Sequence, residues 1–330
     1  MIRPGPRNAL TDVHGLAVGN AEDMGARSGV TVVLAERPTL AAVDVRGGAP
    51  GTINTSALDH GGLISHVDGI VLSGGSAFGL EAATGLMSWL AAHGRGFNRW
   101  GPVIPIVTGA ILFDLVNGGD KAWGREPPYR ALAMQAADKA GPKFATGNAG
   151  AGTGAVAGPY KGGLGTASAI DTSTGITVAA LVAANPVGSP TMPDSPTFWA
   201  WHLEQAGELG GQPPPAKGSG HVFETKRRLG QSTTIGLVAT DAKLDRIQLQ
   251  RLAMMGQTGY VAAIRPIHTP FDGDTLFALA TGETALPDRD DALLRLGTIA
   301  ADVVARATAR GVYDAADLGH ERSYRTVWGR

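Results

Sequence analysis

The stretch Gly230-Gln231-Ser232-Thr233-Thr234-Ile235-Gly236-Leu237-Val238-Ala239-Thr240-Asp241 decides how this chain is read. Three hydroxyl residues, Ser232, Thr233 and Thr234, stand in a row at the threshold of a strongly β-forming run whose following residues read as buried core. The preceding segment, GELGGQPPPAKGSGHVFETKRRLG at 207–230, is rich in proline, glycine and charge and predicts a mobile linker. A hydroxyl on the first residue of a buried strand, reached by such a linker, is the arrangement expected of an N-terminal-nucleophile enzyme made by self-cleavage. The hydroxyl attacks the carbonyl before it, the amide shifts to an ester, and water releases the upstream chain. The exposed α-amine has a reference pKa of roughly 7.7 to 8.0, so near neutrality it can act as base for its own hydroxyl. Hydroxyls ahead of a strand are also common turn residues, so the stretch alone leaves both readings open.

Working outward, 330 residues are enough to bury a large core, and one layered domain spanning 1–330 is expected. The 28 basic and 29 acidic residues leave a formal charge of -1, which gives no electrostatic footprint for nucleic acid or an anionic membrane. With no cysteine, disulfides, thiolate metal sites and a cysteine nucleophile are excluded. The 48 glycines, spread without a period, imply tight turns and close backbone packing. No apolar run approaches the roughly 18 residues of a membrane span, and the N-terminal residues lack a signal pattern, so a soluble cytoplasmic protein is expected.

Strands are predicted at 28–36, 40–48, 68–75, 103–108, 164–171, 175–184 and 233–240, with a further pair through 263–269 and 274–282. Helical spacing predicts helices from Ser76 to Gly94, over 129–140, from Asp245, whose side chain can cap it, to Ala262, and over 290–310. Strands too apolar for an exposed sheet, interspersed with amphipathic helices, predict two stacked sheets between helical layers.

Other motifs compete with the opening stretch. Gly152-Thr-Gly154-Ala-Val-Ala157 matches a dinucleotide-binding pattern, but Gly158-Pro159 ends any following helix, so tight turns are expected. Gly74-Gly-Ser76-Ala-Phe-Gly79 resembles a nucleophile elbow with its second glycine one residue late. Ser76 then reads as a helix cap, with a hydrolase serine partnered by His320 as the functional alternative. His268-Thr-Pro-Phe-Asp272-Gly-Asp274 sets two carboxylates on one face of an extended chain. An Asp-Gly turn, a metal site short of ligands, and a polar pair beside a hydroxyl or amine all fit it. The eight histidines show no metal-ligand spacing and read as structural or solvated.

Over nearly its whole length the sequence resembles the self-cleaving aminopeptidases of the DmpA type, which include L-aminopeptidase/D-esterases, β-aminopeptidases and nylon-oligomer hydrolases. The resemblance rests on LTDVHGLAVGN, VDVRGGAPGT, VLSGGSAFGLEAATG, GAILFDL, KGGLGTAS and ANPVG, and most specifically on TTIGLVATDA and HTPFDGDTLFALATG. It implies a four-layer αββα fold, cleavage into a large chain (1–232) and a small chain (233–330), and hydrolysis of amides at the N-terminal end of peptides or peptide-like substrates. By the match, Thr233 is the nucleophile and Ser232–Thr233 the scissile bond; a cut one residue earlier would give the role to Ser232. Asp272 and Asp274 match an acidic or hydroxyl pair placed to accept from the Thr233 hydroxyl and ammonium. Asn185 matches a side-chain oxyanion donor and Lys161 a lysine near the site, although a lone lysine is otherwise a surface residue. Phe113 stands where several members have tyrosine and, with Ser76, is placed at the substrate pocket; a phenyl ring cannot donate to an oxyanion.

The resemblance further implies no cofactor, no metal and a homo-oligomer of cleaved pairs, tetrameric in other members, acting on a peptide or small amide. Two alternatives remain at this stage: an acyltransferase of the ornithine-acetyltransferase type, and an uncleaved, non-enzymatic binding protein.

Overall fold

The computed structural model describes residues 1–99, 101–215 and 232–329. Its strands are β1 (Ile2–Arg3), β2 (Leu16–Asp23), β3 (Ser28–Val45), β4 (Thr52–Ile53), β5 (His66–Ser73), β6 (Val107–Ile111), β7 (Val156–Ala157), β8 (Tyr160–Lys161), β9 (Gly163–Asp171), β10 (Thr177–Ala184), β11 (Ile235–Lys243) and β12 (Thr275–Ala285). Its helices are α1 (Glu81–Ala92), α2 (Tyr129–Asp138), α3 (Arg246–Ala263), α4 (Ala292–Tyr313) and α5 (Tyr324–Trp328).

Side-chain alternation sorts these elements into four layers. Because successive strand residues face opposite ways, Ile235, Leu237 and Ala239 of β11 join Leu181 of β10 and Phe277 of β12 in a central core shared with Val33, Ile70 and Leu72. The opposite faces of those strands, with Val238, Val182 and Leu276, pack on α3 and α4. Val32 and Val71 turn the other way, onto α1 and α2. Helices, sheet, sheet and helices therefore stack in the expected αββα order.

Pairing runs without a break through both sheet layers in the order β1-β9-β10-β11-β12-β3-β5-β6-β4, with β2 also on β3. The 28–36 and 40–48 predictions merge into the single strand β3, which turns the corner at a register shift between Leu34 and Thr39. A bulge of this kind bends a strand while keeping it paired. Its first half pairs with β2 and β5, and its second half with β12.

Several boundaries differ from the sequence expectation. The strand expected at 103–108 is β6, at Val107–Ile111, and 263–269 forms no strand but a single bridge, Ser189 to Arg265. Asp245 does cap α3, accepting from the Gln248 amide at 2.8 Å while Gln248 accepts from the Asp245 amide at 2.9 Å. Ser76 caps nothing: it opens a short 3-10 turn, Ser76–Leu80, in which no side chain caps, ahead of α1. The predicted linker does not begin at 207. Leu209 is fully buried, and the Glu208 carboxylate is held by Arg306 Nε at 2.5 Å and Asn8 Nδ2 at 2.6 Å. Residues 216–230 of that prediction lie outside the described residues.

Candidate active site

Strand register brings the expected residues together. β10 runs antiparallel to β11 with Ala183 opposite Ile235, and β11 runs parallel to β12 with Ile235 opposite Thr275. Two steps past these pairs stand Asn185, Thr233 and Gly273, and the ladder continues through them. The Thr233 amide donates to the Asn185 carbonyl at 2.9 Å, Gly273 to Ser232 at 3.2 Å, and Thr275 to Thr234 at 3.0 Å. The regular strand begins at Ile235, so the hydroxyl row lies just outside it, in backbone that is still paired.

The Thr233 hydroxyl donates to the carbonyl oxygen of the residue before it, Ser232, at 2.5 Å. It thus lies beside the carbonyl group it would have to attack. The same carbonyl oxygen accepts from the Gly273 amide at 3.2 Å, a donor already aimed where negative charge would develop. Glycine is required there: a Cβ on Gly273 would stand 2.9 Å from Thr233 Oγ1 and 2.6 Å from the Ala49 carbonyl oxygen. By contrast, the buried Ser232 hydroxyl makes no hydrogen bond among the described residues. Ser232, Thr233, Asn185, Asp272 and Asp274 are all buried in the uncut chain.

In this intact chain neither carboxylate accepts from the Thr233 hydroxyl, whose proton is committed to Ser232. Asp272 instead takes the Val187 amide at 3.0 Å, the Thr269 amide at 3.0 Å and the Thr269 hydroxyl at 2.6 Å. Burial, and after it the Asp274 charge, pushes the Asp272 carboxyl above the ordinary carboxylate range. Asp274 takes the Thr234 amide at 2.7 Å on one oxygen and His268, through its amide at 3.0 Å and Nδ1 at 2.8 Å, on the other. His268 is therefore part of the site, which sequence spacing did not reveal. The loop at 46–50 covers the pair: Arg46 donates to the Asp274 carbonyl and Ala49 to the Asp272 carbonyl. A Cβ on Gly47 would meet the Asp272 carbonyl oxygen at 2.3 Å, so that approach depends on glycine.

Asn185 is anchored on both sides of its amide. Its Oδ1 accepts from the Val156 amide at 2.9 Å and its Nδ2 donates to the Phe113 carbonyl at 3.1 Å. Phe113 thus meets the site through its backbone. Lys161 is fully buried, with Nζ donating to the Gly152 carbonyl at 2.9 Å and the Gly162 carbonyl at 2.7 Å; burial pulls it down to about 7. It braces the turn that leads to Val156 and makes no bond to Thr233. The dinucleotide-like glycines lie in that turn, where a Cβ on Gly152 would meet the Leu164 amide at 2.1 Å. Ser76 has a left-handed backbone (φ 52°) and bonds through its amide to the Leu112 carbonyl. Among the described residues no base is bonded to its hydroxyl, and His320 pairs with Glu321 at 3.0 Å. Asp114, beside Phe113, is buried and accepts from Ser28 Oγ at 2.6 Å and the Gly75 amide at 2.8 Å.

Residues 8–325 match peptidase family S58. The chain belongs to this family. This S58 peptidase is 39% identical to an uncharacterized aminopeptidase of Mycobacterium tuberculosis, covering 97% of the chain and 98% of the relative. It is 28% identical to a 6-aminohexanoate-oligomer endohydrolase of Paenarthrobacter ureafaciens, covering 84% and 76%. Its fold is similar to that of the L-aminopeptidase D-Ala-esterase/amidase of Ochrobactrum anthropi, with TM-score 0.72, 22% identity and coverage of 99% and 96%. It is likewise similar to a Burkholderia β-aminopeptidase, with TM-score 0.71, 23% identity and coverage of 98% and 92%. The Ochrobactrum structure is described as a variant of the N-terminal-nucleophile hydrolase fold, and this peptidase has that fold. Family membership decides for a hydrolase over the acyltransferase and the non-enzymatic alternatives.

Proposed function

We propose that this S58 peptidase cleaves its own Ser232–Thr233 bond and then acts as an aminopeptidase or amidase with Thr233 as nucleophile. The observation that carries the reading is the Thr233 hydroxyl at 2.5 Å from the Ser232 carbonyl oxygen, with the Gly273 amide on that same oxygen. Attack by Oγ1 on the Ser232 carbonyl carbon forms an ester and breaks the C–N bond, whose nitrogen takes up the proton. Water then splits the ester, leaving a carboxylate on Ser232 and an amine on Thr233.

In turnover the freed α-amine serves as base for the Thr233 hydroxyl, which attacks the carbonyl of the first residue of a peptide or small amide. Asn185 is the proposed oxyanion donor, its amide oriented by Val156 and Phe113. A phenol at 113 is not needed for that, because the Phe113 carbonyl does the orienting. Asp274 fixes the backbone amide directly after the nucleophile and Asp272 fixes the Val187 amide two residues past Asn185, while burial and the Asp274 charge raise the Asp272 carboxyl. The large and small chains remain interleaved, since β10 and β3 of the large chain flank the β11–β12 pair of the small chain, and assembly of several such pairs in the cytoplasm is part of the proposal.

Incubation with a slowly turned-over aminoacyl ester, followed by mass spectrometry, tests the reading. The acyl group is expected on the 233–330 chain and absent in Thr233→Ala; an acyl group elsewhere would contradict it.

A further inference from the structure

We infer that His268 is a positioning residue that holds the Asp274 carboxylate, and through it the backbone after the nucleophile, in the working orientation. This rests on the reading of Thr233 as the nucleophile. One Asp274 oxygen accepts twice from His268, from the amide at 3.0 Å and from Nδ1 at 2.8 Å. The other accepts from the Thr234 amide at 2.7 Å, so the carboxylate links the imidazole to the residue directly after Thr233. With only the Thr234 bond, the buried side chain could rotate about two torsions; the second anchor fixes the plane of the carboxylate.

Three features show that the anchor is built rather than incidental. His268 adopts a left-handed backbone, φ 57°, which turns its amide and its ring back onto the same oxygen. Histidine is among the residue types that tolerate this region, at some cost in strain. The Tyr260 ring, fully buried on α3, meets the imidazole edge-on, centroids 6.5 Å apart at 64°. The neighbouring pair repeats the arrangement, with Thr269 holding Asp272 through both its amide and its hydroxyl. Among the described residues no hydrogen bond joins His268 to Thr233, and its bonds toward the nucleophile run through Asp274. To donate to an ionised carboxylate, Nδ1 must carry the proton.

Side-chain geometry supplies the test. Asparagine at 268 can place its amide nitrogen close to where Nδ1 sits and tolerates a left-handed backbone; glutamine reproduces the other ring nitrogen, and glycine relieves the backbone and keeps the amide bond but removes the side-chain donor. Self-cleavage rate and steady-state kinetics on an aminoacyl amide are to be measured for all three. His268→Asn is expected within about threefold of the natural protein, whereas His268→Gln and His268→Gly lose about 10- to 100-fold in cleavage rate and kcat with KM little changed. Equal behaviour of the three variants would overturn the proposal. A separate readout is independent of Thr233 chemistry: the nitrogen-15 histidine spectrum of Thr233→Ala protein. It is expected to show a protonated, hydrogen-bonded Nδ1 at His268 that disappears in Thr233→Ala/Asp274→Ala, which leaves no acceptor there. A signal indifferent to Asp274→Ala would reject the anchor even if Thr233 proved the nucleophile. Activity retained by Thr233→Ala with the spectrum as expected would reject the nucleophile and leave the anchor standing.

Discussion

The molecule contains two parallel strand–helix–strand crossovers with different chemistry at their ends. In β11–α3–β12 the polar residues precede the strands, Thr233 before the first and Asp272 and Asp274 before the second. In β5–α1–β6 they follow the strands, Ser76 after the first and Asp114 after the second. Each hydroxyl therefore stands at a strand end, and a buried aspartate lies beyond the parallel neighbour. Thr233 is bonded to a carbonyl that also receives a backbone amide, while the aspartate of the other crossover serves Ser28 and Gly75 and leaves Ser76 aside. On the proposed reading, what singles out the nucleophile is an electrophile held against the hydroxyl with a donor on its oxygen. A glycine-rich spelling around a serine does not suffice.

Exchanging the hydroxyls probes this contrast most severely. Thr233→Ala is expected to lower hydrolysis of an aminoacyl amide by about 10⁴-fold or more, whereas Ser76→Ala should stay within about twofold, as for a neutral surface change. Comparable losses in steady-state assays would erase the distinction between the two crossovers.

The aspartates give a smaller separation. Asp274→Asn puts an amide where the Thr234 N–H needs an acceptor, and a loss of about 10²-fold or more in turnover is expected. Asp114→Asn removes an acceptor from the Ser28 or Gly75 donor and should instead cost about 1 to 3 kcal/mol of stability in urea unfolding, with the cleavage position unchanged.

How far the sequence reaches differs between these two regions as well. The αββα order was legible because β10, β11 and β12 alternate or run apolar in ways that only covered sheets tolerate. Thr233, Asn185, Asp272 and Asp274 could be named because the motifs around them resemble a known family's, and they lie within three residues of strands whose register aligns them. His268 could not, because its role depends on a left-handed turn that folds six residues of loop back onto Asp274. The bend in β3 and the burial of Glu208 were also hidden: one needs a register shift, the other a buried arginine nearly a hundred residues later, at 306. The bond from Val187 to the Asp272 carboxylate, and those from 46–50 to the carbonyls of Asp272 and Asp274, follow from tertiary contact, which no local spacing records.

Lys161, which feels the Asp114 charge, offers the finest adjustment. Burial lowers it to about 7, so between about pH 7 and the usual lysine value of about 10.4 the unfolded chain carries a proton that the folded one has shed. Stability should therefore rise with pH across that window, by at most about 1.4 kcal/mol per unit from this residue, and lose the dependence below about 7, where both states are protonated. Urea unfolding at pH 7, 8 and 9 is expected to show this slope in the natural protein and its loss in Lys161→Met. An unchanged slope in the variant would remove the buried amine from the account.

The most direct test of self-cleavage is the mass of the freshly purified, denatured protein. The account predicts two chains, 1–232 and 233–330, together heavier than the precursor by one water, and a single unbroken chain for Thr233→Ala. A natural protein that stays whole yet hydrolyses amides, or one that is cut at another bond, would contradict it.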